Sequence, residues 1–341
     1  MKYRALANTG VFVSELCFGA MTFGGSGFWS VIGQNEQDEV NAMVNRCLEA
    51  GINFFDTANV YSFGQSETML GQALGDKRKD VVIATKVRGR MGEGANEVGL
   101  SRVHIMNELH ASLKRLNTDY IDLYQIHGFD PVTGMEDTLR TLDDVVRSGK
   151  VRYIGCSNLA AWQLMKFMGI SQFKNLEAFV SLQAYYSIAG RDLEREVVPL
   201  LKDQNLGLLV WSPLAGGFLS GKYTRQNSGE EGSRRTKFDF PPIDKERAYN
   251  VVEVMQSVAE AHEATVPQVA LAWLLHQSVV TSVIIGSKRM AQLEDNLKAV
   301  DLTFTPEELA QLNEVSQLPL EYPGWMIKQQ SGGRRPGEAQ Y

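Results

Sequence analysis

Short apolar runs alternate with longer amphipathic stretches along almost the whole chain. Eight of the runs read as strands: Leu16 to Ala20, Ile52 to Asp56, Val81 to Thr85, Tyr120 to His127, Val151 to Ser157, Glu177 to Gln183, Leu206 to Ser212 and Thr281 to Ser287. Between them, apolar residues at helical spacing mark Gln37 to Ala50, Leu100 to Leu116, Met135 to Ser148, Leu159 to Met168, Asp192 to Asp203, Glu246 to Ala261 and Met290 to Ala299. Strands that alternate with helices must run parallel, because each helix carries the chain back to the same edge. Ahead of this repeat, Tyr3 to Leu16 reads as a hairpin around Thr9 and Gly10, placed to plug one end of the fold.

An open doubly wound sheet shows the same alternation, so the polar residues must choose between the two. Nearly every strand runs into a polar or aromatic group at its C-terminal end, as in a barrel that builds its site from all its strand-to-helix loops. An open sheet gathers them at one switch point, and the G-x-G-x-x-G fingerprint of its dinucleotide site is missing. The expectation is an α/β chain forming a (β/α)8 TIM barrel, one domain over residues 1–341, with an N-terminal β-hairpin and a long loop after strand 7. That loop, Pro213 to Asp244, is too long and charged for an ordinary connection and is read as a lid over a ligand. The tail 331–341 has little to bury and is expected to be flexible.

Composition narrows the partners. Forty acidic against 34 basic side chains leave a net charge of −6, which disfavours nucleic acid. Three cysteines without a C-x-x-C pair suggest neither a disulfide framework nor a zinc site, and His104, His110, His262 and His276 form no ligand pair, so no metal is expected. With no apolar run long enough to span a bilayer and no leader-like start, the expected location is the cytoplasm, with no membrane partner and a homo-oligomer allowed.

The candidate chemistry sits at three successive strand ends. Strand two ends at Asp56 with Tyr61 just beyond, strand three carries Lys86, and strand four ends at His127. A phenol is a poor acid at neutral pH, but a neighbouring ammonium stabilises the phenolate, so Lys86 is expected to lower the pKa of Tyr61. Asp56 then serves as the counter-ion of Lys86, and His127 donates to a substrate oxygen and shapes which carbonyls fit. Singly, each residue has an ordinary structural explanation; all four at one face point to proton transfer.

These four residues, together with "DTANVYSFGQSE", "GCSN", "WSPLAGGFLSGKY" and "GSKRMAQLEDN", resemble the aldo-keto reductases over nearly the whole chain. The resemblance implies NADPH-dependent reduction of an aldehyde or ketone, reversible toward alcohol oxidation with NADP+, with a small carbonyl or alcohol as substrate and NADH the less favoured cofactor. Ser157, Asn158 and Gln183 suit the nicotinamide carboxamide, and Trp211 offers its face to the ring. Gly19, Ala20 and Met21 follow from the resemblance as cofactor contacts, as does Gly286. Ser212, Pro213, Leu214, Ala215, Gly216 and Gly217, with Lys222, would close over the pyrophosphate, helped by Arg234 and Arg235. Ser287, Lys288 and Arg289 precede a helix and are assigned the 2′-phosphate, with Gln292, Asp295 and Asn296 reaching the adenosine.

Trp29 and Phe129, beside Tyr61 and His127, are the substrate candidates, with Met21, Phe23 and Trp325 as further apolar ones. Two positions depart from the family's commonest pattern: Ile285, where proline is frequent, and Asp295, where glutamate is usual. A short-chain dehydrogenase is excluded, since no tyrosine has lysine four residues on. The alternative is an NADPH-binding regulatory subunit resembling the potassium channel β subunits, which differ by carrying asparagine at the position of His127.

Overall fold

The computed structural model describes residues 1–227, 235 and 238–331. Among the described residues there are ten strands: β1 (Tyr3–Ala5), β2 (Phe12–Ser14), β3 (Leu16–Gly19), β4 (Phe54–Asp56), β5 (Val82–Val87), β6 (Ile121–Ile126), β7 (Val151–Ser157), β8 (Ser181–Tyr185), β9 (Gly207–Trp211) and β10 (Val280–Ile285). β3 to β10 pair in parallel in chain order, and β10 returns to β3, so the eight close into a (β/α)8 TIM barrel as expected. β1 and β2 form the separate antiparallel hairpin.

Side chains along a strand alternate between its faces, and the alternation builds two cores. Leu16, Phe18, Phe55, Ile83, Tyr124 and Leu208 point outward into the layer beneath the helices. Cys17, Phe54, Ala84, Leu123 and Leu209 point inward, where Leu6 and Val13 of the hairpin region join them and fill the lower barrel. The hairpin is therefore the expected plug. Arg4 fixes it by donating to the carbonyl oxygens of Val280 and Leu275. Two residues further along the same inward face come Asp56, Lys86 and Gln125, each above its apolar neighbour.

The outer helices are α1 (Gln37–Glu49), α2 (Gln65–Leu74), α3 (Arg102–Leu116), α4 (Met135–Arg147), α5 (Ala161–Lys174), α6 (Val197–Asp203), α7 (Lys245–Ala261), α8 (Val266–Leu275), α9 (Met290–Leu297), α10 (Pro306–Ser316) and α11 (Gly324–Ser331). Polar starts set several of them: Ser101 caps α3, and Thr265 with Gln268 and Thr305 with Glu308 form capping boxes at α8 and α10.

Sequence periodicity missed α2, α8, α10 and α11. In α2, Gly71 interrupts the helical signal; it is there because a Cβ would lie 2.6 Å from the Leu116 carbonyl oxygen of α3. In α8, Val269 to Leu274 are all buried, so no polar face exists to betray the period. The expected strand from Glu177 instead runs Ser181–Tyr185, and the expected helix from Asp192 splits into a 3-10 turn and α6. Of the tail, residues 332–341 lie outside the described residues, as does Arg234.

Candidate active site

Asp56 closes β4, Lys86 lies one residue from the end of β5, and His127 immediately follows β6. Adjacent parallel strands therefore deliver them to one rim of the barrel. Tyr61 comes from the turn after β4, where Ser62 (φ 48°), Phe63 (φ 52°) and Gly64 (φ 90°) are all left-handed. Two non-glycine residues in that region cost about 1 kcal/mol or more each, so surrounding contacts must hold the turn. Ser62 Oγ donates to the Phe23 carbonyl at 3.1 Å. Arg115 packs where a side chain at Gly64 would lie, and its guanidinium bonds the fully buried Glu67 carboxylate at 2.6 Å.

The expected ion pair is made. Lys86 Nζ lies 2.6 Å from Asp56 Oδ1, donates to the Thr57 carbonyl at 2.8 Å and reaches the Tyr61 hydroxyl at 3.3 Å, with no exposed surface of its own. Asp56 Oδ2 accepts from Gln183 Nε2 at 2.7 Å and from Gln125 Nε2 at 3.3 Å. The His127 ring stands edge-on to Tyr61 with centroids 5.7 Å apart, and Trp29 approaches the same phenol at 5.2 Å.

Charge states follow from burial. Burial opposes the charge on Lys86, but Asp56 and then Tyr61 more than offset it, raising its pKa. For Tyr61 the expected lowering by Lys86 exists but loses to burial, and Asp56 adds to the rise, so the phenol's pKa is raised. That corrects the sequence reading: in this closed site the phenol holds its proton more tightly than in water. Burial, then the Lys86 and Arg88 cations, pushes the half-buried His127 down to about 3, so its imidazole is neutral near pH 7.

The residues expected at the nicotinamide also converge. Ser157 Oγ donates to the Gln183 carbonyl at 2.9 Å, Asn158 Nδ2 donates to Ser157 Oγ at 2.9 Å, and the Trp211 indole N–H donates to Asn158 Oδ1 at 3.0 Å. Trp211 is not a free platform: it stacks on Phe240 at 5.7 Å and 8°, and packs against Tyr185. Phe240 contacts Phe238, which meets Phe28, next to Trp29. The described part of the long loop after β9 thus reaches past β10 to the segment after β3.

The anion side is dispersed around β10 and α9. The Ser287 hydroxyl is buried and finds no partner among the described residues, whereas Lys288 Nζ reaches the Val31 carbonyl at 3.2 Å. Gln292 accepts from the Lys288 backbone, Arg289 is exposed, and Asn296 is buried. Asp295 accepts from Thr265, the N-cap of α8, and from Gln268 within it. Arg235 braces the Ala215 to Gly217 turn through the Ala215 carbonyl. Lys222 is exposed.

Among the apolar candidates, Met21 is half-buried near the rim, but Phe23 has no exposed surface and packs on Phe18, so it belongs to the core. Phe129 faces Trp162, and Trp325 sits exposed beside Tyr322 on α11. Sequence reasoning missed Gln125 and Phe240. Gln125 carried a signal, a lone amide inside the apolar run of β6; Phe240 carried none.

Among the described residues, no helix is long and apolar enough to cross a membrane, and no group of three His, Cys, Asp or Glu side chains is placed to hold a metal ion. The three cysteines are buried and unpaired.

The sequence model of the aldo/keto reductase family matches residues 15–317. An uncharacterized oxidoreductase of Bacillus subtilis (strain 168) is 38% identical over 328 residues, covering 92% of this chain and 96% of its own. A putative aryl-alcohol dehydrogenase of Schizosaccharomyces pombe is 33% identical over 339 residues, covering 92% and 95%. A probable voltage-gated potassium channel subunit beta of Oryza sativa subsp. japonica is 34% identical over 328 residues, covering 93% and 97%.

Proposed function

The chain belongs to the aldo/keto reductase family, and from that premise we propose that this oxidoreductase reduces an aldehyde or ketone to the alcohol with NADPH, Tyr61 supplying the proton. The observation that carries the reading is the buried chain Asp56–Lys86–Tyr61, with the neutral His127 beside the phenol.

Bound NADPH would supply the hydride. The residues fit such a ligand: the Ser287 hydroxyl is buried without a partner among the described residues, and Gly217 has open space where a side chain would stand. In this reading Ser157, Asn158 and Gln183 hold the carboxamide, the turn from Ser212 to Gly217 lies along the pyrophosphate, and Lys288 and Arg289 favour the 2′-phosphate of NADPH over NADH.

As the carbonyl carbon takes a hydride, its oxygen gains negative charge and draws the proton from Tyr61. Lys86, held by Asp56, stabilises the phenolate left behind. His127 donates from its ring N–H to the same oxygen, orienting it toward Tyr61, and Trp29 closes one side of the pocket. In reverse, the phenolate takes the alcohol's proton, so alcohol oxidation with NADP+ uses the same groups.

Similarity to potassium channel β subunits supports a second reading, an NADPH-binding regulatory subunit. One cuvette separates them. NADPH binding by fluorescence, followed by loss of nicotinamide absorbance with a panel of aldehydes and ketones, supports the reductase; binding without oxidation supports the regulatory subunit. Absence of binding overturns both.

A further inference from the structure

Gln125 is a buried polar residue that the proposed reaction leaves without a task. It stands on β6 with Lys86 of β5 and Gly155 of β7 as its Cα partners, and none of its surface is exposed. Its Nε2 donates to Asp56 Oδ2, while its Oε1 has no hydrogen-bond partner among the described residues. Burying half-satisfied amides costs free energy that an apolar side chain of similar size avoids. Packing alone therefore does not explain a glutamine here. Gly155 clears its path, since a Cβ there would lie 3.2 Å from Gln125 Cγ and 2.8 Å from Ser181 Oγ.

We propose that Gln125 is a positioning residue for the proton relay, holding Asp56 Oδ2 so that Lys86 stays aimed at Tyr61 when Gln183 engages the cofactor. The inference rests on the reductase reading. Two glutamines share one carboxylate oxygen, and the nearer, Gln183, is the one grouped with Ser157 and Asn158. When Gln183 turns its amide to a ligand, Gln125 is the donor that remains. Without it the carboxylate draws the Lys86 ammonium toward itself and away from the phenol. The amide also points its positive end at Asp56, which dampens that negative charge as felt at Tyr61.

The titratable groups facing the relay are Cys17 from β3, Asp56 from β4, Tyr61 from the turn beyond it, Lys86 from β5 and His127 after β6. Burial and then Asp56 hold the Cys17 thiol well up, and His127 is neutral near pH 7.

The test compares wild type with Gln125→Met, which keeps length and removes the donor, and Gln125→Glu, which donates only when protonated. Tyr61 is titrated with NADP+ bound, the state in which Gln183 is engaged, by phenolate ultraviolet absorbance, with the Tyr61→Phe complex subtracted. Its transition should move to higher pH in Gln125→Met, and kcat should fall about tenfold with NADPH affinity unchanged, as loss of a hydrogen bond to a charged group implies. Gln125→Glu should keep activity at low pH and lose it as pH rises and the new carboxylate faces Asp56. A wild-type phenol titration and kcat in Gln125→Met overturn the proposal. So does a Gln125→Glu variant whose activity follows the wild-type pH profile, which serves if the methionine variant fails to fold. Should wild type oxidise NADPH with no carbonyl, the reductase reading fails, while the phenol titration still decides whether Gln125 tunes Tyr61.

Discussion

Lys86 and Tyr61 meet at 3.3 Å in a site where the lysine is wholly buried and the phenol nearly so. The ammonium's other contacts, Asp56 and the Thr57 carbonyl, fix its direction toward the hydroxyl. Tyr61→Phe removes the proton and little else. Turnover should drop by roughly 10²–10⁴-fold while NADPH still binds. Because burial raises the Tyr61 pKa, reduction should hold its rate through neutral pH and decline only on the alkaline side, as the phenol loses its proton. A pH profile of kcat on both proteins checks this, and an active phenylalanine variant sinks the assignment.

His127 makes stability depend on acid. Its native pKa, about 3, lies below the ordinary value of 6.5, so the native state binds fewer protons than the unfolded chain. The contribution is fully present above about pH 6.5 and is lost as pH falls from there toward 3. By pH 5 the loss is about 2 kcal/mol. Urea denaturation of wild type and His127→Gln at pH 7.5 and 5, values chosen around about 6.5, should show a smaller acid loss in the variant.

Arg115 holds the left-handed turn that follows Tyr61. Arg115→Met leaves the Glu67 carboxylate buried, with Thr85 as its remaining side-chain donor. Breaking such a pair from one side costs about 3 kcal/mol. The urea midpoint should fall accordingly, and turnover should fall more than NADPH affinity, since the turn aims the phenol. An unchanged midpoint would show that the turn is held by Ser62 and its neighbours alone.

Phe240 covers Trp211, the residue expected to face the nicotinamide. If the ring must leave before the cofactor stacks, Phe240→Ala removes a contact worth about 1 kcal/mol, and NADPH should bind several-fold tighter. Weaker binding would instead make Phe240 part of the closed cofactor site.

Much of the molecule was legible from residue order. Strand-helix alternation and the missing G-x-G-x-x-G pointed to the barrel, because period-2 and period-3.6 patterns are local consequences of backbone geometry. Asp56, Tyr61, Lys86 and His127 stood out because charged and polar groups interrupt apolar strands at their C-terminal ends. What residue order did not decide depends on distance and burial. The rise of the Tyr61 pKa is a contest between desolvation and the Lys86 charge, and only the closed barrel mouth sets its winner. Phe240 reaches Trp211 across a long loop with no spacing rule, and Gln125 meets Asp56 only because β6 and β4 flank β5 with a shared inward face and Gly155 leaves room. Local chemistry chose the strands and their terminal groups; the closed sheet decided which of those groups touch.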